Sequence, residues 1–187
     1  MPRQSRHEVA GGYYHVTARG NGGHPIFLTD DDYAFLLAFL GRAVKRFNWR
    51  CFAYCLLTNH YHLVLAIRER TLSRGMRWLN GLYAQTFNDR HRRTGHLFGD
   101  RYRTSLIESD EHLAEACRYV DLNPVRAGLC DHPGEWPWSS YRALVGDTPA
   151  PPFLSLDVVK SFGGSQSYEE YVAESLAAIR HERKKGV

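Results

Sequence analysis

The sequence lacks any apolar run approaching membrane-spanning length, and its first residues, Met1-Pro2-Arg3-Gln4-Ser5-Arg6-His7, lead into no signal-peptide core. A membrane protein and an exported one are both unexpected, and the chain reads as cytoplasmic. Cysteine is scarce. Cys51, Cys55, Cys117 and Cys130 form no CxxC pair and sit in apolar stretches, the pattern of reduced, buried thiols. There is no P-loop and no other nucleotide-binding glycine pattern, so no ATP-driven step is expected. No internal repeat is visible, and no strand carries an RNP-type aromatic motif.

What remains is a chain of 187 residues with the apolar content of an ordinary globular protein, long enough to bury a real core. Lys plus Arg number 24 against 20 for Asp plus Glu, a net charge of +4 that permits an anionic partner without demanding one. The distribution is more informative than the sum. Residues 89–103 hold five arginines and two histidines against two aspartates, interleaved with Phe98 and Tyr102. A solvated face is the plain reading of such a run; the aromatic interleaving adds nucleic acid as a candidate partner. The tail from Arg180 to Lys185 is basic as well.

Periodicity gives the order of elements. Tyr13 to Ala18 alternates as a strand, and Thr29 or Asp30 can cap a helix to about Phe47 with an unbroken apolar stripe. Trp49 to Leu57 and His60 to Ile67 read as strands joined by a tight Thr58-Asn59 turn. A helix from about Leu72 to Phe87 follows, then a fourth strand from Tyr102 to Ile107. The order β-α-β-β-α-β is that of the ferredoxin-like split βαβ unit, an α+β fold whose antiparallel sheet carries helices on one face and leaves the other free. A further helix starting at Ser109 or Asp110 should stop at Asn123, because Pro124 disfavours helical geometry in the residue before it. Pro149 to Pro152 reads as a linker; residues 1–144 are expected to form the main domain and 145–187 a helical C-terminal extension with a basic tail.

Two imidazoles interrupt the apolar strand His60 to Ile67. Tyr61, Leu63, Leu65 and Ile67 share one face of it, while His60, His62, Val64 and Ala66 share the other. Adjacent histidines on the face away from the main core are either a metal-binding pair or a polar anchor, and the small Val64 and Ala66 leave room above the sheet. On the helix from Ser109 the apolar stripe is Leu113, Ala116, Cys117 and Val120. Tyr119 falls about 120° from its centre, with Asn123 one turn on along the same side. Tyr119 is thus not where a core tyrosine belongs, unlike Tyr83, which lies on the stripe of its helix. A half-buried Tyr119 bonded to a backbone carbonyl is the alternative.

His60-Tyr61-His62, the segment from Arg93 to Tyr102 and the segment from Tyr119 to Gly128 together resemble the single-tyrosine HUH transposases. The REP-associated tyrosine transposases, relatives of the enzymes that move the smallest insertion sequences as single strands, are the nearest likeness. It runs from about Gly11 to Tyr141; members usually carry proline before the asparagine of the histidine motif, where this chain has Thr58. The resemblance implies cleavage and rejoining of single-stranded, hairpin-bearing DNA through a 5′-phosphotyrosine link to Tyr119. It implies a divalent ion, Mg²⁺ or Mn²⁺, on His60 and His62, with Asn123 as a third ligand through its amide oxygen. Relatives include dimers whose tyrosine helix works across the interface as well as monomers, so a homodimer stays open.

Around this centre, Arg19, Arg92, Arg93, Arg101 and Arg103 are candidates to contact the DNA, each equally readable as solvated surface. His15 and Glu115 are candidate accessories, with a structural hydrogen bond and a surface carboxylate as their plainer readings. The rival functions are a non-catalytic RRM-like nucleic-acid binder and a metal hydrolase built on the HxH pair. A relaxase or replication initiator would share the HUH chemistry; histidines before tyrosine and a short chain favour the transposase branch.

Overall fold

Strand β1 (Tyr13–Arg19) alternates half-buried and buried residues and occupies an inner position of the sheet. The computed structural model describes residues 8–184, with side chains to residue 181; Met1 to His7 and most of the basic tail lie outside the described residues. Strands β2 (Trp49–Leu56), β3 (His60–Ile67) and β4 (Arg103–Ile107) complete an antiparallel sheet in the order β2-β3-β1-β4. Helix α1 (Asp30–Phe47) follows β1, and α2 (Leu72–Arg90) follows β3. This is the ferredoxin-like arrangement that the order of elements predicts. Helix α1 starts where Asp32 folds back to accept from the backbone N–H groups of Leu28 and Thr29 at 2.8 and 3.0 Å, filling donors that the first turn leaves unpaired.

Side chains alternate along β3 as the pattern requires. Tyr61, Leu63, Leu65 and Ile67 are buried beneath α1 and α2, and the Tyr61 hydroxyl donates to Asn80 on α2. The opposite face is not free. Helix α3 (Asp110–Arg126), capped by the Ser109 hydroxyl accepting from the His112 N–H at 3.1 Å, lies across it and buries Ala116, Cys117 and Val120. The room left by Val64 and Ala66 is therefore the seat of this helix, and both are buried.

Two further departures from the sequence reading concern α3 and the chain after it. The helix continues through Pro124 to Arg126 instead of stopping at Asn123. Pro124 removes the donor that would have reached the Val120 carbonyl, but it stands in the last turn, where the loss is small. That turn is closed by a Schellman motif: Gly128 takes φ 74 while its N–H donates to Val125 at 3.0 Å, and the Leu129 N–H donates to the Pro124 carbonyl at 2.9 Å.

After α3 the chain returns along the open edge of β2. The Leu56 N–H donates to the Trp138 carbonyl and the Ser140 N–H to the Tyr54 carbonyl, each at 2.9 Å. The Trp136 indole N–H donates to the Leu56 carbonyl at 2.9 Å. An edge that would otherwise template aggregation is thereby paired. Two short helices, α4 (Tyr141–Leu144) and α5 (Asp157–Ser161), lead to α6 (Ser165–Lys184), which packs on α3. Asp121, wholly buried on α3, accepts from Ser140 at 3.0 Å and from Tyr168 of α6 at 2.7 Å. Among the described residues no helix is long and apolar enough to cross a membrane.

Candidate active site

The register of the sheet assembles the polar face. β1 pairs with β3 so that Arg19 stands opposite His60, Thr17 opposite His62 and His15 opposite Val64. On the other side of β1, Arg103 of β4 stands opposite Thr17. Of these, Thr17, Arg19, His60, His62 and Arg103 line a cavity of about 400 Å³, joined in its wall by Arg101. Arg92 and Arg93, also candidates from the sequence, lie in the exposed turn beyond α2 and do not line it; the Arg93 guanidinium sits 5.6 Å from the ring centre of Phe87.

Each histidine is held by a defined partner. Asn59 donates its amide to the Gly23 carbonyl at 3.0 Å, which turns its oxygen toward His60 Nδ1 at 2.7 Å. An amide oxygen only accepts, so His60 carries its proton on Nδ1 and the neutral ring presents a lone pair at Nε2. His62 Nδ1 lies 2.9 Å from His15 Nε2, the two rings stacked with centres 5.1 Å apart. His62 Nε2 is buried and has no hydrogen-bond partner. A buried polar nitrogen left without a partner calls for a ligand or ion.

The surroundings shift all three rings toward the neutral form. Burial, reinforced by His15 and His60, pushes the His62 imidazole down to about 3. Burial also lowers His15, aided by the neighbouring His112, and lowers His60, aided by Arg19. Neutral imidazoles are the form that coordinates cations.

Helix α3 brings Tyr119 to this place. Its ring makes edge contacts with His15 at 5.7 Å and His62 at 5.8 Å between centres, and the residue is 42% exposed. The phenol expected off the apolar stripe is thus beside His15 and His62 and open to solvent. It stands next to the cavity and is not part of the cavity wall. Asn123 is buried and donates its amide N–H to the Tyr119 carbonyl at 2.8 Å, leaving the amide oxygen as the end available to a ligand. Glu115 is directed elsewhere, pairing at 3.8 Å with Arg118 from a largely exposed position.

One neighbour of the phenol escaped the sequence reading. The Arg126 guanidinium lies 5.5 Å from the ring centre of Tyr119, two turns further along the same helix. Its signal was the spacing of seven from Tyr119, which returns a side chain to the same helical face provided the helix continues past Pro124. Tyr83 is buried in the core, as its place on an apolar stripe predicted.

The model of the family described as "Transposase IS200 like" matches residues 8–123, which include both histidines and the tyrosine. A protein of Haemophilus influenzae named as a REP-associated tyrosine transposase is 26% identical over 157 residues, covering 78% of this chain and 88% of its own. Among solved structures, one titled as a REP-associated tyrosine transposase bound to a REP hairpin superposes with a TM-score of 0.66 at 18% identity, covering 84% of this chain and 93% of that one. The fold, the paired histidines and the family match over most of the chain lead to one assignment: this protein belongs to the IS200-like transposase family.

Proposed function

We propose that this transposase cuts and rejoins single-stranded DNA with Tyr119 as its nucleophile, forming a covalent 5′-phosphotyrosine link. The observation that carries the reading is the contact of the exposed Tyr119 ring with both His15 and His62, residues separated in sequence and joined only by the fold. The Tyr119 hydroxyl oxygen attacks the backbone phosphorus and gives up its proton. The bond from phosphorus to the 3′ oxygen breaks, and that oxygen leaves as a 3′-hydroxyl. One phosphodiester replaces another, so the step is reversible without ATP, and a 3′-hydroxyl of DNA reseals it.

His60 and His62 would hold a divalent cation through their Nε2 atoms, with the Asn123 amide oxygen as a third donor. The unpartnered, buried Nε2 of His62 and the tautomer that Asn59 imposes on His60 both fit this role. Nitrogen and neutral oxygen donors suit Mn²⁺ or Mg²⁺ at moderate affinity. When bound, such an ion polarises the phosphoryl oxygen and offsets the charge that develops there. The chain's own residues do the rest. His15 fixes the His62 ring, the Asn59 amide fixes the His60 ring, and Arg126 sets a positive charge beside the phenol where a phosphate must sit. Arg19, Arg101 and Arg103 then grip neighbouring phosphates of the strand in the cavity. The hairpin in the structure with the TM-score of 0.66 supports a hairpin-bearing strand as the substrate.

The test is incubation with single-stranded hairpin oligonucleotides and Mn²⁺, scored as a protein–DNA band that survives denaturation. The wild-type chain forms it and Tyr119→Phe does not. Adduct formation by Tyr119→Phe would overturn the assignment of the nucleophile. Cleavage without any covalent species would instead favour a hydrolase built on the HxH pair.

A further inference from the structure

The histidine cavity does not end at the sheet. A second cavity of about 500 Å³ lies where the N-terminal half of α2 passes the segment leading into β4, with Ser73, Arg77, Asn80, Phe98 and Tyr102 in its wall. The two cavities share Asp100 and Arg101. They are consecutive spaces around the β4 edge of the sheet, the first on the Tyr119 side and the second toward the helix side.

Beyond Arg77 the basic surface continues. Arg42 and Arg46 of α1 each place their guanidinium carbon 5.5 Å from the ring centre of Trp78 on α2. Arg74 sits in the same way 5.6 Å from Phe47. Stacking on an aromatic face fixes the plane of a guanidinium and leaves its N–H edge directed outward, the arrangement that receives a phosphate with little ordering cost. Among the described residues no carboxylate lies within ion-pair distance of these groups. Among the described residues the paired arginines are Arg50, Arg90 and Arg118, whereas Arg42, Arg46, Arg74, Arg77 and Arg101 form no ion pair. Asp100 is the sole carboxylate in the walls of the two cavities. Set against a net charge of +4 for the whole chain, the three unpaired arginines around Trp78 and Phe47, with Arg77 three residues on from Arg74, concentrate positive charge on one face.

We propose that DNA leaving the cut site passes round the β4 edge through the second cavity and onto the outer face of α1 and α2. Arg101, Arg77, Arg74, Arg42 and Arg46 hold its phosphates in that order. The inference rests on the reading of the histidine cavity as the place of cleavage and extends it. The partner is the phosphate backbone of the flanking strand or hairpin stem, bound without base-specific contacts. The unpaired charge favours this occupant over a second copy of the chain, which would bring the same cations face to face.

The experiment compares the wild-type chain with the variant Arg42→Gln/Arg46→Gln/Arg74→Gln/Arg77→Gln. Two DNAs are used, a short strand covering only the cut site and one extended by a hairpin stem. Fluorescence anisotropy is read over a series of KCl concentrations, and the melting temperature of both proteins is recorded. On the extended DNA the variant should bind on the order of 10–100-fold more weakly. Its plot of log affinity against log salt should lose about three units of slope, as expected for four lost phosphate contacts. On the short strand the two proteins should agree, and both should form the same Tyr119-dependent adduct. Equal affinity and slope on the extended DNA overturn the proposal, as does an equal loss on both DNAs. A change in oligomeric state with unchanged binding would overturn it too, showing that this face meets another copy. Should the four-fold variant melt early, Arg77→Glu alone serves, with the same two DNAs and a smaller expected loss. Failure of the catalytic reading looks different: no adduct on either DNA with the wild-type chain, whatever the salt slope.

Discussion

Arg126 illustrates how much the proposed chemistry depends on a few atoms around one phenol. Its guanidinium stands 5.5 Å from the Tyr119 ring centre, and among the described residues it forms no ion pair. A charge-assisted hydrogen bond to phosphate contributes about 1.5–3 kcal/mol, so Arg126→Ala should slow adduct formation by roughly 10–100-fold. Single-turnover kinetics on a hairpin strand checks this, and a rate within twofold of wild type would remove Arg126 from the machinery. At this scale the sequence was only partly legible. The two histidines and the tyrosine could be singled out because strand and helix periodicities say which face a side chain takes. The partners that set their protonation could not. Asn59 depends on the Gly23 carbonyl and His62 on His15, contacts across 36 and 47 residues that no local pattern encodes.

Among the elements, α3 carries the opposing demands of an exposed tyrosine, the proposed nucleophile, and a buried anchor. Two residues beyond Tyr119, Asp121 is wholly buried, bonded by Ser140 and by Tyr168 of α6. Burial raises its carboxyl to about 7, although both hydroxyl bonds work the other way. From about pH 4, where an unfolded aspartate ionises, up to about 7 the folded chain holds a proton that the unfolded chain has released. Asp121 therefore contributes a loss of stability as pH rises through that window. Asp121→Asn, which cannot ionise, should flatten the decline in melting temperature between pH 5 and 8. Parallel pH profiles of variant and wild type would refute it. The helix also shows where local rules fall short. The residue before proline disfavours helix, yet α3 passes Pro124 because the helix is ending there anyway and Gly128 completes its closure. Periodicity located four strands and three helices to within a few residues, while the pairing of residues 138–140 with the β2 edge needed the folded chain.

For the molecule as a whole, the α1–α2 layer and the proposed site lie on opposite faces of one sheet. Tyr61, Leu63, Leu65 and Ile67 face the α1–α2 layer, and the histidines face α3 and the cavity. If the proposed cation serves the reaction alone, removing it should cost activity and little else. With excess EDTA, adduct formation should fall to background while the melting temperature shifts by no more than a few degrees, since moderate affinity adds little to folding. A collapse of the fold on chelation would show that the ion is structural. The ferredoxin-like topology was legible from the order of elements, because each helix and strand carries its own periodicity. The basic face around Trp78 was not, since α1 and α2 contribute its arginines from separate parts of the chain.

The Asn59 amide has a consequence that reaches beyond its neighbourhood. Its orientation is dictated by a carbonyl at Gly23, a residue with φ 75 in a loop that touches none of the imidazoles through its own side chain. Exchange Gly23 for a residue that resists this backbone shape, and the carbonyl turns away, the amide is released to rotate, and His60 is free to carry its proton on the wrong nitrogen. An apparently harmless loop change would then register in an assay as damage to the proposed site, with His60, His62, Asn123 and Tyr119 all still in place.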